Sequence, residues 1–194
     1  MRWLWIAVAI ALAGAWQGWS TRPVRHTAGE LVHTVPLQKS IGSDPPRFRK
    51  YDADIVAKAR FEMEARVISR ERYRTDRMAK LVPVDLAFGW GPMSDTAVLD
   101  RLSITQGNRF YFWTTPDFPI PRRDIETQSA NMHLIPADEA IERRIEGARV
   151  GQVVKVSGYL VDVKGDDGWS IKTSMTRDDT GAGACEVIWV EAFE

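Results

Sequence analysis

The C-terminal part of the chain is dominated by residues typical of β-strands, and this pattern constrains the fold more than any other. Residues 150–163 read VGQVVKVSGYLVDV, in which β-branched residues predominate. A Gly-Asp-Asp-Gly turn at 165–168 leads into WSIKTS, and the chain closes with CEVIWVEAF. Strand-forming residues bounded by Gly and Asp predict a sheet. We therefore expect these segments to form the sheet core of one small domain.

The preceding residues add further strands and short helices to this core. The spacing of Ile55, Val56, Ala59 and Met63 predicts a helical face that opens at Asp52 or Asp54. The alternation of 61–73 favours a strand over a continued helix. Strands are predicted at 108–115 and around NMHLIPA, and an amphipathic helix at 137–148. The segment GQVVKVSGYLVDV resembles the opening strand of small OB-like (oligonucleotide/oligosaccharide-binding) barrels. The expected fold class is α+β, with a small, mostly antiparallel, OB-like or barrel-like sheet and short helices.

The N-terminus predicts membrane targeting. Residues 3–16 carry no charge and follow Arg2, which suits a signal peptide or a short apolar membrane helix. Cleavage is conceivable after Ala13-Gly14-Ala15, while Trp16 and Trp19 would suit interfacial anchors of an uncleaved span. We expect residues 1–20 to be this anchor or signal peptide, 21–50 a proline-containing tether, and 51–194 the globular domain. The expected location is the inner membrane, single-pass with a periplasmic domain, or the periplasm after cleavage.

Charge and cysteine content narrow the function classes. Lys plus Arg and Asp plus Glu both number 26, so the formal net charge is zero and exerts no general attraction on nucleic acid. The one basic concentration inside the domain, residues 66–80, is diluted by acidic residues. The chain has one cysteine, which excludes an intrachain disulfide. Single-stranded nucleic-acid binding by an OB-type sheet therefore stays an alternative, with nucleic acid not the expected partner.

Three motifs carry a family resemblance. The segments DLAFGWGPMSD, NMHLIPA and TRDDTGAGACEVIWV resemble a family of uncharacterised proteobacterial proteins of similar size with an apolar N-terminus. The resemblance covers about residues 51–194 and implies an anchored or exported single domain. It implies no activity and transfers no catalytic residue.

A thiol site is the sharpest chemical hypothesis. Cys185 and His133 could form a nucleophile and base, with Asp85 or Asp179 orienting the imidazole. Neither residue has a local catalytic signature, and a lone cysteine is commonly structural. A thiol-dependent hydrolase that uses Cys185, His133 and Asp85 is therefore an alternative function.

The remaining candidates point to binding. Trp90, held between two glycines, can present its ring to a partner, and His133 with the loop Arg177, Asp178 and Asp179 could complete a contact surface. His-x-x-x-His and Cys-x-x-Cys spacings are absent from the sequence, so neither a metal site nor a cofactor is expected. The favoured function is a membrane-anchored or exported binding or envelope-assembly module, in contact with the membrane through its N-terminal helix and with an envelope protein.

Overall fold

A computed structural model describes residues 22–179, 181 and 183–194, together with Trp3 and Trp5. The N-terminal apolar helix expected within residues 1–20 lies outside these residues apart from the two tryptophans. Among the described residues, no helix combines the length and apolar character needed to cross a membrane.

The described residues are mostly strand, with a few short helices. The strands are β1 Leu37–Ser40, β2 Arg47–Lys50, β3 Ala53–Arg72, β4 Val84–Gly89, β5 Ser103–Gly107, β6 Phe110–Thr114, β7 Ser129–Pro136, β8 Val153–Gly165, β9 Ser170–Ile171 and β10 Glu186–Phe193. The helices are a 3₁₀ helix Gly91–Ser94, α1 Thr96–Leu99, α2 Arg122–Thr127 and α3 Glu139–Gly147. This content is that of the predicted α+β class.

Five strands form a mixed sheet that curves into a partly closed ring. Strand β3 pairs with β4, β4 with β7, β7 with β10 and β10 with β8, and β8 returns to β3. All these pairings are antiparallel except β7–β10, which is parallel. Strands β1 and β2 pair with β3, β9 pairs with β8, and β5–β6 form a separate hairpin.

The long strand β3 holds the ring together. Its side chains alternate between core and solvent from Ala53 to Met63, as expected for a sheet with one covered face. Register shifts at Ala57/Ala59 and Val67/Ser69 mark bulges, which bend a strand and let one segment pair with different partners along its length. The helical face predicted from Ile55 to Met63 is wrong, because these residues belong to β3.

Part of the segment expected to be a tether is paired with the sheet. Strand β1 follows Pro36 and pairs with residues 59–62 of β3, while β2 pairs with residues 53–56. Upstream of both, Val32 is buried, and its backbone N–H donates to Ser94 Oγ at 3.0 Å. Ordered chain contact with the domain therefore begins well before residue 51.

The predicted helix at 137–148 is confirmed as α3. The Asp138 carboxylate accepts from the Ile141 backbone N–H at 2.9 Å and so caps the first turn. Ile141 and Ile145 are buried against the ring, as their spacing predicted. The helix links β7 to β8 along the chain and contacts β7 and β10.

Candidate functional site

Asp85 and His133 are direct cross-strand neighbours on β4 and β7. The adjacent residues on the same strands, Leu86, Met132 and Leu134, pack in the main core. Because successive side chains of a strand point to opposite faces, Asp85 and His133 lie on the outer face of the sheet. Both are nevertheless buried, at 0% and 2% exposure, because other segments cover that face. The Asp85 Oδ1 atom lies 3.0 Å from His133 Nδ1.

The β5–β6 hairpin supplies part of this cover through Arg109. The guanidinium donates to Asp85 Oδ1 at 2.8 Å and to both carboxylate oxygens of Asp76, and it stacks 3.8 Å from the Tyr73 ring centroid. Arg109 has a φ of 70° and Asn108 a φ of 52°, which is the backbone of a type I′ hairpin turn. Such a turn favours glycine at its second position, so the arginine carries a local conformational cost that its ion pairs offset.

Cys185 immediately precedes β10 and lies close to Asn131 and Arg109. Val187 is opposite His133 in the parallel register, which brings the preceding residues of β10 alongside Asn131. The Cys185 thiol donates to Arg109 O at 3.8 Å, and Asn131 Nδ2 lies 4.0 Å from the sulfur. Burial alone would lower the pKa of His133, but Asp85 and the Cys185 sulfur outweigh it and raise that pKa to about 9.

A cavity of about 240 Å³ opens over Cys185. One wall is the aromatic run of β6, and the other is the loop that leads into β10. The described lining residues are Phe110, Tyr111, Phe112, Trp113, Glu126, Ser129, Ala130, Asn131, Arg177, Asp179, Gly181, Ala184, Cys185 and Glu186. Asp85 and His133 lie beneath the cavity and do not line it.

Glu186 is the most unusual group in this cavity. It is 1% exposed, and burial raises its pKa to about 7 against the opposing charge of Arg177. Arg177 Nε lies 2.7 Å from Glu186 Oε1, yet Glu186 Oε2 has no hydrogen-bond partner within the described part of the chain. A buried carboxylate oxygen without a donor is costly in a folded protein.

The sequence-predicted residues divide into two groups. Cys185, Arg177 and Asp179 line the cavity, and His133 with Asp85 supports it from below. The other two predicted residues do not line the cavity.

Trp90 and Asp178 do not contribute to the cavity. The Trp90 ring is 2% exposed and packs in the main core, so in this structure it offers no surface to a partner. Asp178 is exposed and pairs with Arg123 at 3.3 Å.

Sequence reasoning missed Arg109, Asn131 and Glu186. A charged residue after Asn108, where a tight hairpin turn favours glycine, was a usable indication of a special role. Glu186 shares the inward face of Ile188 and Val190 in an otherwise apolar strand, and an inward carboxylate was a second indication.

Among the described residues, groups of three or more side chains suited to holding a metal ion are absent. No protein-family model matches the chain, and neither a curated protein nor a solved structure matches it significantly.

Proposed function

We propose that this chain is an exported or membrane-anchored binding module, built on an OB-like barrel, that takes a small ligand carrying an ammonium group. The single observation behind the proposal is Glu186, a buried carboxylate among the residues of the cavity lining, one oxygen of which has no hydrogen-bond partner among the described residues.

The order of strands supports the OB-like assignment. Numbered along the chain, the ring strands pair in the order one, two, three, five, four and back to one, with the parallel contact between three and five. A helix lies between the third and fourth ring strands. OB barrels are five-stranded and partly open, and they bind ligands on the second and third strands and the loops beside them. The cavity lies against β7, the third ring strand, and the loop before the fifth.

The charges lining the cavity favour a cation. Its described lining holds three carboxylates, Glu126, Asp179 and Glu186, and one guanidinium, Arg177. Asp179 Oδ1 is a second buried oxygen without a hydrogen-bond partner among the described residues. Excess negative charge repels the phosphates of a nucleic acid, which argues against the OB-type nucleic-acid alternative.

The aromatic wall selects the rest of the ligand. Phe110 and Phe112 are 37% and 56% exposed, with ring centroids 6.4 Å apart. Aromatic faces attract both apolar groups and cations. The volume is slightly below the range of typical ligand pockets, so the expected ligand is an ammonium group on a compact apolar body.

Three probes of one size test this proposal on the full-length chain. Benzylammonium, benzyl alcohol and benzoate share a ring and differ in charge, and isothermal titration calorimetry at pH 8 compares them. We expect benzylammonium to bind at least tenfold more tightly than benzyl alcohol, and benzoate to show no binding. Equal binding of all three, or tighter binding of benzoate, would contradict the proposal.

Two variants locate the binding site. Glu186→Gln should weaken benzylammonium binding at least tenfold, because it removes the buried charge and keeps the shape. Glu139→Gln changes an exposed carboxylate on α3 and should leave the affinity unchanged. Loss of affinity in neither variant, or in both equally, would place the binding elsewhere.

Export is tested separately from binding. A C-terminal alkaline phosphatase fusion is active only outside the cytoplasm, and we expect high activity from the fusion. High activity of a matched β-galactosidase fusion, with an inactive phosphatase fusion, would reject the proposed location and leave the cavity untouched.

A further inference from the structure

A buried arginine lies on the outer face of β3, outside the cavity described above. Arg66 is 6% exposed, although arginine is seldom buried unless it is paired. Its neighbours Ala65 and Val67 pack in the main core, so the Arg66 side chain points to the outer face. Its backbone pairs with Gly89 of β4 and with Val153 of β8, and both edges of the strand therefore hold the residue in place.

The hydrogen bonds of Arg66 leave one edge of its guanidinium unused. Nη1 donates to Ser94 O and to Thr96 Oγ1, both at 2.9 Å. Nε is buried and has no hydrogen-bond partner. In a planar guanidinium, Nε–H and one Nη2–H point in the same direction and form the fork that binds a carboxylate or phosphate through two oxygens. Within the part of the chain that the structure describes, no atom accepts a hydrogen bond from this fork.

The positive charge of Arg66 also has no close partner. The described carboxylates form no ion pair with it, and Asp95 and Asp100 act on it only as more distant charges. A buried guanidinium without an opposite charge destabilises a fold, because the charge loses its water and gains nothing in exchange. An arginine retained in this state indicates that an oxyanion completes it.

The side chain lines an open pocket of about 510 Å³. Residues 23–26 form one wall of this pocket and are fixed to the segment that leads into β8. The Val24 backbone N–H donates to Val150 O at 2.8 Å, and His26 Nε2 donates to Gly151 O at 2.8 Å. The wall is therefore held in place opposite β3.

The charges of the pocket suit a monoanion. Its charged lining residues are Arg25, Arg66 and Asp100, which leave one net positive charge while His26 is neutral. We propose that this pocket binds a phosphate oxyanion, with the Nε–Nη2 edge of Arg66 donating to two of its oxygens and Arg25 adding a second positive charge.

Two sources offer such a phosphate: a phospholipid head group and a soluble phosphate ester. The wall at residues 23–26 closely follows the predicted anchor at 1–20, and the chain from 20 to 24 spans at most about 14 Å when fully extended. The polar layer on each side of a bilayer is about 5–7 Å thick. Given the membrane anchor of the proposed function, on which this step alone rests, head-group phosphates lie within reach of the pocket.

Isothermal titration calorimetry of the full-length chain, in a neutral detergent at pH 7 and fixed ionic strength, tests the site. Glycerol 1-phosphate represents the soluble ester, dihexanoyl phosphatidylglycerol the head group, and glycerol the uncharged control. We expect both phosphates to bind, the lipid at least threefold more tightly, and glycerol not to bind. Tighter binding of glycerol 1-phosphate would support the oxyanion site and reject the lipid as its source. Binding of neither phosphate would overturn the proposal.

Three variants locate the bound phosphate. Arg66→Lys keeps the charge and removes the fork, so it should weaken the binding of both phosphates at least tenfold. Asp100→Asn removes a negative charge from the lining and should strengthen binding at least twofold. Arg72→Met changes an arginine of β3 that is already paired with Glu146, and it should leave the affinity unchanged.

Circular dichroism establishes that each variant is folded. If Arg66→Lys is not, Arg25→Gln replaces it, with a loss of at least threefold expected because the side chain is exposed. Unchanged affinity in the folded variant, or weaker binding by Asp100→Asn, would overturn the proposal. Neither phosphate carries an ammonium group, so this site and the Glu186 site can fail independently.

Discussion

Two buried titratable residues should make the stability of this protein depend on pH. The pKa of His133 is raised from 6.5 to about 9 and that of Glu186 from 4.5 to about 7. A folded-state pKa above the unfolded value means that the folded chain binds more protons between the two values. The contribution of each group is therefore complete below its unfolded pKa and lost as the pH rises through its folded pKa.

The free energy of unfolding should fall by about 5 kcal/mol between about pH 5 and pH 9, since each unit of pKa difference is worth about 1.4 kcal/mol. Urea titrations across this range measure it. Glu186→Gln should flatten the slope mainly between pH 5 and 7, and His133→Gln mainly between pH 7 and 9. Stability that rises over the whole range would contradict both assignments.

Arg109 should stabilise the fold through the buried Asp85 carboxylate. Arg109→Met leaves that carboxylate without its main partner, and removing one member of a buried pair costs about 3–5 kcal/mol. The double variant Arg109→Met, Asp85→Asn should lose less than the sum of the single variants. Urea unfolding at pH 7 measures all three chains.

Arg122→Met is the matched control for Arg109→Met. Arg122 pairs with Glu126 on an exposed helical surface, and such pairs are worth less than about 0.5 kcal/mol. Equal losses from the two arginine variants would show that the Arg109–Asp85 pair does not support the fold.

From the chemistry of single residues, the candidate site was only partly predictable. Residue chemistry alone singled out Cys185 and His133, because the chain has one cysteine and three histidines. The arrangement of the site depends on the β4–β7 register and the parallel β7–β10 pairing, which a single sequence does not encode locally. Trp90 illustrates the converse, since flanking glycines suggested display of a ring that the fold buries.

Among the individual elements, β3 shows why periodicity can mislead. Ile55, Ala59 and Met63 fit a helical face, yet they also fall on alternate positions of one strand, and the sheet uses the second pattern. Small residues such as Ala57 and Ala65 raise local helix propensity, and tertiary pairing on both edges of β3 overrides it.

The close approach of β8 to β10 should make Gly158 hard to replace. A Cβ atom on Gly158 would overlap the carbonyl oxygen of Trp189, a backbone atom that cannot move without disturbing the ladder. Gly158→Ala should lower the free energy of unfolding by at least about 2 kcal/mol, through strain of the kind seen on overpacking. Thermal and urea unfolding measure this loss.

Gly107→Ala is the control for Gly158→Ala. Gly107 also lies in a strand, but a Cβ there meets no atom within 4 Å, so the change should be small. Full stability of Gly158→Ala would show that the two strands are farther apart than described.

For the whole molecule, the fold class was predictable and the ring was not. Strand-rich segments, turns and one amphipathic helix could be read from the C-terminal residues, which established an α+β domain. Ring formation depends on β3 pairing with β8, about a hundred residues away, and on bulges in β3 that leave no local pattern. The prolines at 23, 36, 45 and 46 suggested a tether, but they separate short segments, two of which pair with β3.

The covered outer face of the ring defines the proposed role of the molecule. The β5–β6 hairpin and the loop before β10 convert an open sheet surface into a small cavity with an acidic end and an aromatic wall. Arg109 and the Arg177–Glu186 pair connect these covering segments to the ring strands. The proposed recognition would therefore take place at one enclosed site.

The most direct measurement is a crystal structure of the full-length chain grown with saturating benzylammonium. The account predicts the ammonium nitrogen within about 3 Å of a Glu186 carboxylate oxygen, a normal charge-assisted hydrogen bond, and the ring against Phe110 and Phe112. A cavity that stays empty at saturation, or a ligand bound at another surface, would contradict it.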